Sequence, residues 1–246
     1  MTAGRPATLA EICVAACARA WDGDGAVLAS PMGLIPTLGA RLARLTFAPD
    51  LLITDGEALL VTADGATEGW LPYRDVLRLV ATGRRHMMMG AAQLDRHGNQ
   101  NISCIGDWAR PRAQLLGVRG APGNTVNHPV SYWVPRHSRR VFVPRVDMVC
   151  GVGYDRAAGF GPGSFHELRM VVTDKAVLDF ATPDRSMRLR SLHPGITVAQ
   201  VRELTGFALA VPTHVPVTRP PGPGELALIR EQLDPAGLRD RDVAAR

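Results

Sequence analysis

Between residues 8 and 54 the chain alternates between helical and strand-like hydrophobic spacing, and this constrains the fold more than any other feature. Leu9, Ile12, Cys13, Ala16, Cys17 and Ala20 recur at three- and four-residue intervals, which places them on one face of a helix. Thr8 followed by Glu11 has the form of a capping box, so a first helix is expected over about 8–21. Asp22-Gly23-Asp24-Gly25 is a turn cluster, and the short apolar run Ala26-Val27-Leu28-Ala29 follows it. A second helical pattern covers Leu34 to Leu45 before Pro49 stops it, and Leu51 to Thr54 reads as a buried strand. Helix, strand, helix, strand at this spacing predicts an α/β fold with a mostly parallel central sheet flanked by helices.

The middle of the chain is different. Short β-prone pieces occur at 86–89, 102–105, 115–118, 132–134, 141–143, 168–172 and 177–180, separated by Gly, Pro and Asn turns. A strand-rich region of mixed direction is expected there. Helical spacing returns at Val198 to Thr205, Thr218 to Gly224 is a Pro/Gly tether, and Glu225 to Leu233 predicts a closing helix. The expected organisation is one α/β domain over 1–217 and a linker with a C-terminal helical arm over 218–246, whose last residues are polar and fray.

The 246 residues are 46% hydrophobic and 21% charged, which excludes a collagen-like, disordered or coiled-coil chain. Lys175 is the one lysine among 28 basic residues, and the net charge is +5. Arginine forks suit phosphates and carboxylates. With aromatics at 5%, nucleic acid is not expected as a partner. The cysteines at 13, 17, 104 and 150 lack zinc-ligand spacing, so neither a metal site nor a disulfide framework is indicated. Neither a signal peptide nor a membrane-spanning run is read from the sequence, and a cytoplasmic location is expected.

Four segments could carry chemistry. The first runs from Pro49 to Glu57, an apolar strand ending in Thr54-Asp55-Gly56-Glu57, where open α/β sheets collect reactive side chains. Ordinary Asp-Gly turn chemistry also accounts for it. The second is Gly90-Ala91-Ala92-Gln93-Leu94-Asp95-Arg96-His97-Gly98-Asn99-Gln100-Asn101. A β-hairpin turning at 96–99 explains His97 and Asn99, while Gln93 at a strand end is the better contact. The third spans Leu116 to His128 and includes Gly117, Gly120, Asn124 and Asn127. Its glycines expose backbone N–H groups that can hold an oxyanion, although neither a Walker loop nor Gly-x-Gly-x-x-Gly is present. The fourth is basic, with Arg136, Arg139, Arg140 and Arg145 around Val141-Phe142-Val143-Pro144 and Arg84-Arg85 earlier in the chain. It reads as a partner interface or a ligand-phosphate contact.

Taken in order, Pro49-Asp50 through Gly56, Gly90-Ala91-Ala92-Gln93-Leu94-Asp95 with Gly98-Asn99-Gln100-Asn101, and Gly117-Val118-Arg119-Gly120-Ala121 resemble the β subunits of the class I coenzyme A transferase superfamily. Ala40 to Asp50, Gly83-Arg84-Arg85-His86, Asn99 to Ser103 and Val118 to His128 are similar to one branch, the β subunits of steroid ring-opening CoA hydrolases. The resemblance implies a class I CoA-transferase-like fold, an α subunit of similar fold and an α2β2 assembly. It also implies a CoA thioester of a cyclic dione from the steroid C and D rings, with coenzyme A as part of the substrate and no other cofactor.

One departure bears on the chemistry. Transferases of this superfamily carry a glutamate before the turn that attacks the thioester, and aligning the turn on Gly56 places Thr54 there. Hydrolytic carbon–carbon cleavage instead needs a base for water, a site for the oxyanion and stabilisation of the departing enolate. The resemblance assigns Asp55, Glu57 and Gln93 to catalysis, with Glu57 as reserve base and the principal base in either subunit. It assigns Thr54, Gly56, Gly117, Gly120, Asn124, Asn127 and His128 to substrate binding. The alternatives are a CoA transferase working through Glu57 and a scaffold subunit without chemistry.

Overall fold

The computed structural model describes residues 5–55, 58–117, 120–161 and 164–243. Helix α1 (Leu9–Ala18) starts as expected, with the Thr8 hydroxyl accepting from the Glu11 N–H and the Glu11 carboxylate accepting from the Thr8 N–H. A 3₁₀ turn, Arg19–Trp21, extends it. Strand β1 (Leu28–Pro31), helix α2 (Leu34–Thr46) and strand β2 (Leu52–Thr54) complete the alternation. Three elements follow without a sequence expectation: β3 (Leu59–Val61), β4 (Thr67–Trp70) and α3 (Tyr73–Val80).

Strand β5 (Arg85–Met89) leads to the small pair β6 (Gln93–Leu94) and β7 (Gln100–Asn101), then to β8 (Cys104–Ile105) and β9 (Ala113–Gln114). The β6–β7 pair is the expected hairpin, closed by the Asp95 carboxylate, which accepts from the His97 and Asn99 N–H groups. Residues read as a glycine-rich turn instead form helix α4 (Ala121–Asn127), because Pro122 falls in its first turn, where a missing N–H costs nothing. Then come β10 (Pro129–Val134), α5 (Tyr154–Ala157), β11 (Glu167–Thr173), β12 (Ala176–Asp179), β13 (Arg188–Leu192), α6 (Val198–Glu203), α7 (Pro223–Ala227) and α8 (Arg239–Asp242). Residues 141–143 form only an isolated bridge, Phe142 to Leu94.

The main sheet has the order β13-β12-β11-β10-β5-β1-β2-β3-β4. Its centre, β11 through β2, is parallel, and antiparallel strands close both ends. Alternation along β5 and β10 divides the core. Met88 and Trp133 face α1, α2 and the C-terminal residues Ile229, Leu233 and Val243, whereas Met87, Met89, Val130, Tyr132 and Val134 face Leu94, Phe142 and Met187. Side chains as buried as Phe142 and Leu94 each contribute about 1.5–3 kcal/mol. Helices α1 and α2 touch so closely that a Cβ on Gly39 would lie 2.9 Å from Cys17 Cβ and 3.0 Å from the Ala18 nitrogen.

The C-terminal residues pack back on the first helix. Glu11, 1% exposed, accepts from Arg230 Nε at 2.8 Å and from Arg239 Nη2 at 2.8 Å. Burial opposes its charge, but the two guanidiniums and the Thr8 N–H outweigh it and lower the carboxyl pKa to about 2. Among the described residues, no helix is long and apolar enough to cross a membrane and no cluster of metal-ligating side chains forms.

Candidate active site

Leu28 and Ser30 of β1 and Arg85 and Met87 of β5 share one sheet face, because Leu28 pairs with Arg85 and Ser30 with Met87. Helix α4 lays Asn124 over this face, and its C-cap His128 leads into β10. The result is a buried row of polar side chains. Thr54 Oγ1 donates to Ser30 Oγ at 3.2 Å, Arg85 Nε donates to the same oxygen at 2.8 Å, and Arg85 Nη1 donates to Asn124 Oδ1 at 3.4 Å. His128 Nε2 lies 3.3 Å from Asn124 Oδ1, while Asn124 Nδ2 points at the Met87 sulfur.

Arg85 is the unusual member. It is 5% exposed, and its hydrogen-bond partners are the neutral Ser30 and Asn124. Among the described residues no carboxylate pairs with it. Burial lowers its pKa to about 10, so it stays charged at neutral pH. A buried cation with only neutral partners is costly and is suited to an incoming negative charge. Burial, helped by the Arg85 charge, also pushes His128 down to about 4. Its neutral ring has one proton for two acceptors, the Pro129 carbonyl at 3.0 Å and Asn124 Oδ1.

The expected site residues divide. Thr54, Asn124 and His128 are brought together through Ser30 and Arg85, and Gly120 caps α4 one turn before Asn124. Asp55 follows Thr54 at the sheet edge, where its carboxylate accepts the Leu59 N–H at 3.2 Å and shapes the turn into β3. Gly56 and Glu57 lie outside the described residues. Gln93 is buried with its amide engaged inside the protein. Its oxygen accepts from Asn101 Nδ2 and the Asp147 N–H, and its nitrogen donates to Asp147 Oδ2. Gly117 packs where a Cβ would meet Ile102 at 2.8 Å, and Asn127 Nδ2 donates to the Gly123 carbonyl of its own helix. Ser30 carried no sequence expectation as a site residue. Arg85 was read, with Arg84, only as part of the basic set, and the signal that sets it apart is its place at the start of the apolar run His86 to Met89.

A second buried constellation deserves a chemical test. His86 Nδ1 lies 2.7 Å from Asp24 Oδ2, and its Nε2 lies 2.9 Å from Ser131 Oγ. This is the bonding order of a hydrolytic triad. His86 and Ser131 are both fully buried and Trp21 packs on the imidazole at a centroid distance of 5.7 Å, so no acyl group reaches the hydroxyl. Burial keeps His86 neutral despite Asp24, and Arg169 shares the Asp24 carboxylate. Together with Arg169, the trio ties the 22–25 turn to β5, β10 and β11.

The coenzyme A transferase family model matches residues 77–204. The cholesterol ring-cleaving hydrolase IpdB subunit of Rhodococcus jostii (strain RHA1) is 54% identical over 244 residues, covering 96% of each chain. The Mycobacterium tuberculosis (strain H37Rv) cholesterol ring-cleaving hydrolase IpdB subunit is 48% identical, covering 96% of this chain and 98% of that one. The crystal structure of Rhodococcus jostii RHA1 IpdAB superposes with a TM-score of 0.93 at 52% identity, over 98% of this chain and all of the other.

Proposed function

This chain belongs to the coenzyme A transferase family, in the branch of cholesterol ring-cleaving hydrolase B subunits, and from that premise we propose how its residues serve the reaction. It is the B subunit of a two-subunit hydrolase that opens a steroid-derived ring of a CoA thioester by adding water across a carbon–carbon bond. The observation that carries the mechanism is the Arg85 cation, buried beside Thr54 with only neutral partners.

A base takes a proton from water as it adds to a ring ketone, which gives a tetrahedral oxyanion. The bond to the adjacent carbon then breaks, leaving a carboxylate on one side and an enolate on the other, which takes up a proton. Negative charge therefore develops twice. Arg85, oriented by Ser30 and Asn124, stabilises it, and the preorganised fork needs no rearrangement as charge appears. Thr54 occupies the place of the transferases' nucleophile, and its hydroxyl donates to Ser30. It cannot form a glutamyl–CoA adduct, which favours attack by water over acyl transfer. Asp55 is an orienting group, its carboxylate accepting the Leu59 N–H, and Glu57 is the reserve base. Coenzyme A enters and leaves as part of the substrate, and no further cofactor is required.

Leu52, Leu59, Trp70, Tyr73 and Leu77 are exposed on and beside the strand that ends in Thr54. An apolar surface of this kind marks a protein contact. We assign it to the A subunit, consistent with the two-subunit IpdAB structure, in an α2β2 enzyme of the cytoplasm. The test is substrate partition in the assembled enzyme. Ring opening by water is expected to exceed CoA transfer to acetate or succinate, and borohydride is expected to trap no acyl-enzyme. Transfer outpacing ring opening, with a modified Glu57, would replace this reading with the transferase.

A further inference from the structure

A cavity of about 920 Å³ lies at the amino ends of β10 and β11, between α5 and the end of β12. None of Ser30, Thr54, Arg85, Asn124 and His128 lines it, so it is not part of the candidate active site. Tyr154, Phe160, Phe165 and Phe180 give it an aromatic lining. Phe165 is 50% exposed and Phe160 36%, yet both rings are seated. Phe165 lies on Gly83, whose φ is +72° and where a Cβ would fall 2.6 Å from Phe165 Cδ1. Phe160 meets the His166 ring edge-on at a centroid distance of 6.0 Å, and Tyr154 meets the same ring at 5.0 Å. Aromatic rings held in place and open to solvent form a surface for a flat apolar ligand.

The charges of the wall are unequal. Glu167 is paired with Arg169, and Asp179 with Arg188. Arg185 and Arg190 also line the cavity, and among the described residues neither has a carboxylate partner. Burial lowers the His166 pKa, so its neutral ring adds no charge. Three arginines and two carboxylates in the lining leave one positive charge in excess. A monoanion balances it, whereas a phosphate ester of charge about −2 would overcompensate it beside Glu167 and Asp179.

Arg185 is also placed at a cost. Among the described residues it is the one non-glycine with a positive φ, 55°, a conformation that suits glycine better than a residue with a side chain. The turn enforces it. The Arg185 N–H donates to the Thr182 carbonyl at 3.1 Å, and the Asp184 carboxylate accepts from the Ser186 N–H and from the Thr182 and Ser186 hydroxyls. The guanidinium then lies over the Tyr154 ring, 5.4 Å from its centroid. Backbone strain of this kind collects at ligand clamps.

We propose that this cavity is a second ligand site, which takes a ring-bearing monocarboxylate with its ring on the Phe160 and Phe165 faces and its carboxylate on Arg185 and Arg190. Arginine forks bind carboxylates in two-point contacts. The site is independent of the CoA thioester chemistry, and its occupant is a free acid.

The experiment is calorimetric titration of naphthalene-2-carboxylate, and of the uncharged naphthalene-2-carboxamide, into the complex of this chain with its A subunit. A ligand with about 13 non-hydrogen atoms is expected to bind the carboxylate form with a Kd of about 1 mM or tighter. The carboxamide is expected to bind at least about tenfold more weakly. Arg185→Gly puts glycine at a φ it adopts readily, so Tm holds while carboxylate affinity falls at least about tenfold. Arg190→Gln leaves the backbone as it is and weakens binding about threefold to tenfold. Arg85→Met binds the carboxylate as wild type does. No saturable binding to the wild-type complex up to about 1 mM, equal affinity for acid and amide, or carboxylate affinity within twofold of wild type in either intact variant of Arg185 or Arg190 overturns the proposal. Loss of binding in Arg85→Met also overturns it, because the acid would then occupy the candidate active site. Dissociation of the A subunit in Arg190→Gln does so too, since the cavity would be a subunit contact.

Discussion

Replacing Arg85 with methionine separates the two tasks a buried arginine can perform. If Arg85 holds the fold together, Arg85→Met unfolds it; if it awaits negative charge, the fold survives and the chemistry suffers. Burial lowers the Arg85 pKa from 12.5 to about 10, a penalty of about 3 kcal/mol on the charged form. At neutral pH the group is charged both folded and unfolded, so the whole penalty applies. Against it stand the hydrogen bonds to Ser30 and Asn124, worth about 1.5–3 kcal/mol each when charge-assisted. Together they equal the penalty or exceed it by up to about 3 kcal/mol, and methionine, which fills a similar apolar volume beside Met87, returns part of that difference. The expected loss of unfolding free energy is between about 0 and 3 kcal/mol, read from a denaturant midpoint. Loss of a preorganised donor to a developing oxyanion costs about 2.7–4 kcal/mol, so kcat for ring opening falls about 10²- to 10³-fold. Arg85→Lys keeps the charge without the fork and falls between. A loss of more than about 3 kcal/mol in stability, with kcat per folded molecule within threefold of wild type, would refute the reasoning.

Other consequences are equally direct. Burial lowers His128 and His137 to about 4, whereas the unfolded chain takes up those protons near 6.5, so the unfolded state binds more protons between these values. Stability is therefore complete above pH 6.5 and falls as pH drops toward 4, by up to about 3 kcal/mol per histidine, which urea midpoints across that range would show. Glu11→Gln breaks the buried pairing with Arg230 and Arg239 and is expected to cost about 3–5 kcal/mol; limited proteolysis should then cut first after residue 218. Gly39→Val forces α1 and α2 apart where a Cβ already meets Cys17 and Ala18, with an expected cost of about 1–3 kcal/mol or more and a lower Tm.

Much of the frame was legible because local signals agreed with the tertiary result. The Thr8–Glu11 capping box, the helical spacing over 34–45 and the apolar strand before Asp55 all match elements found in the structure. The 93–101 hairpin follows from turn chemistry at Asp95 to Asn99. The 59–80 region was not legible. Leu59, Trp70, Tyr73 and Leu77 are exposed on this chain alone, so its apolar pattern does not describe a core of its own. Helix α4 was hidden by Ala121-Pro122-Gly123-Asn124, a composition that reads as a turn until the proline is placed in a first helical turn. Strand β13, Arg188-Leu189-Arg190-Ser191-Leu192, carries no period-two signal, since its buried leucines are three residues apart.

The site was legible in part for a related reason. Motif reasoning favours glycine turns and amides in loops, and it singled out Thr54, Asn124 and His128, which the structure brings together through Ser30 and Arg85. Ser30 and Arg85 lie on strands 55 residues apart, and only the β1–β5 register brings them together. Gln93 illustrates the converse, since its position at a strand end suggested a ligand contact, whereas its amide is engaged with Asn101 and Asp147.

Water-dependent carbon–carbon cleavage of a CoA thioester is read out by one turnover of the assembled enzyme on the ring-containing CoA thioester in H₂¹⁸O, followed by mass spectrometry of the product. A ring-opened product that retains CoA and carries ¹⁸O in the new carboxylate is expected. Release of free CoA, or its transfer to an added carboxylic acid with the ring intact, would contradict it.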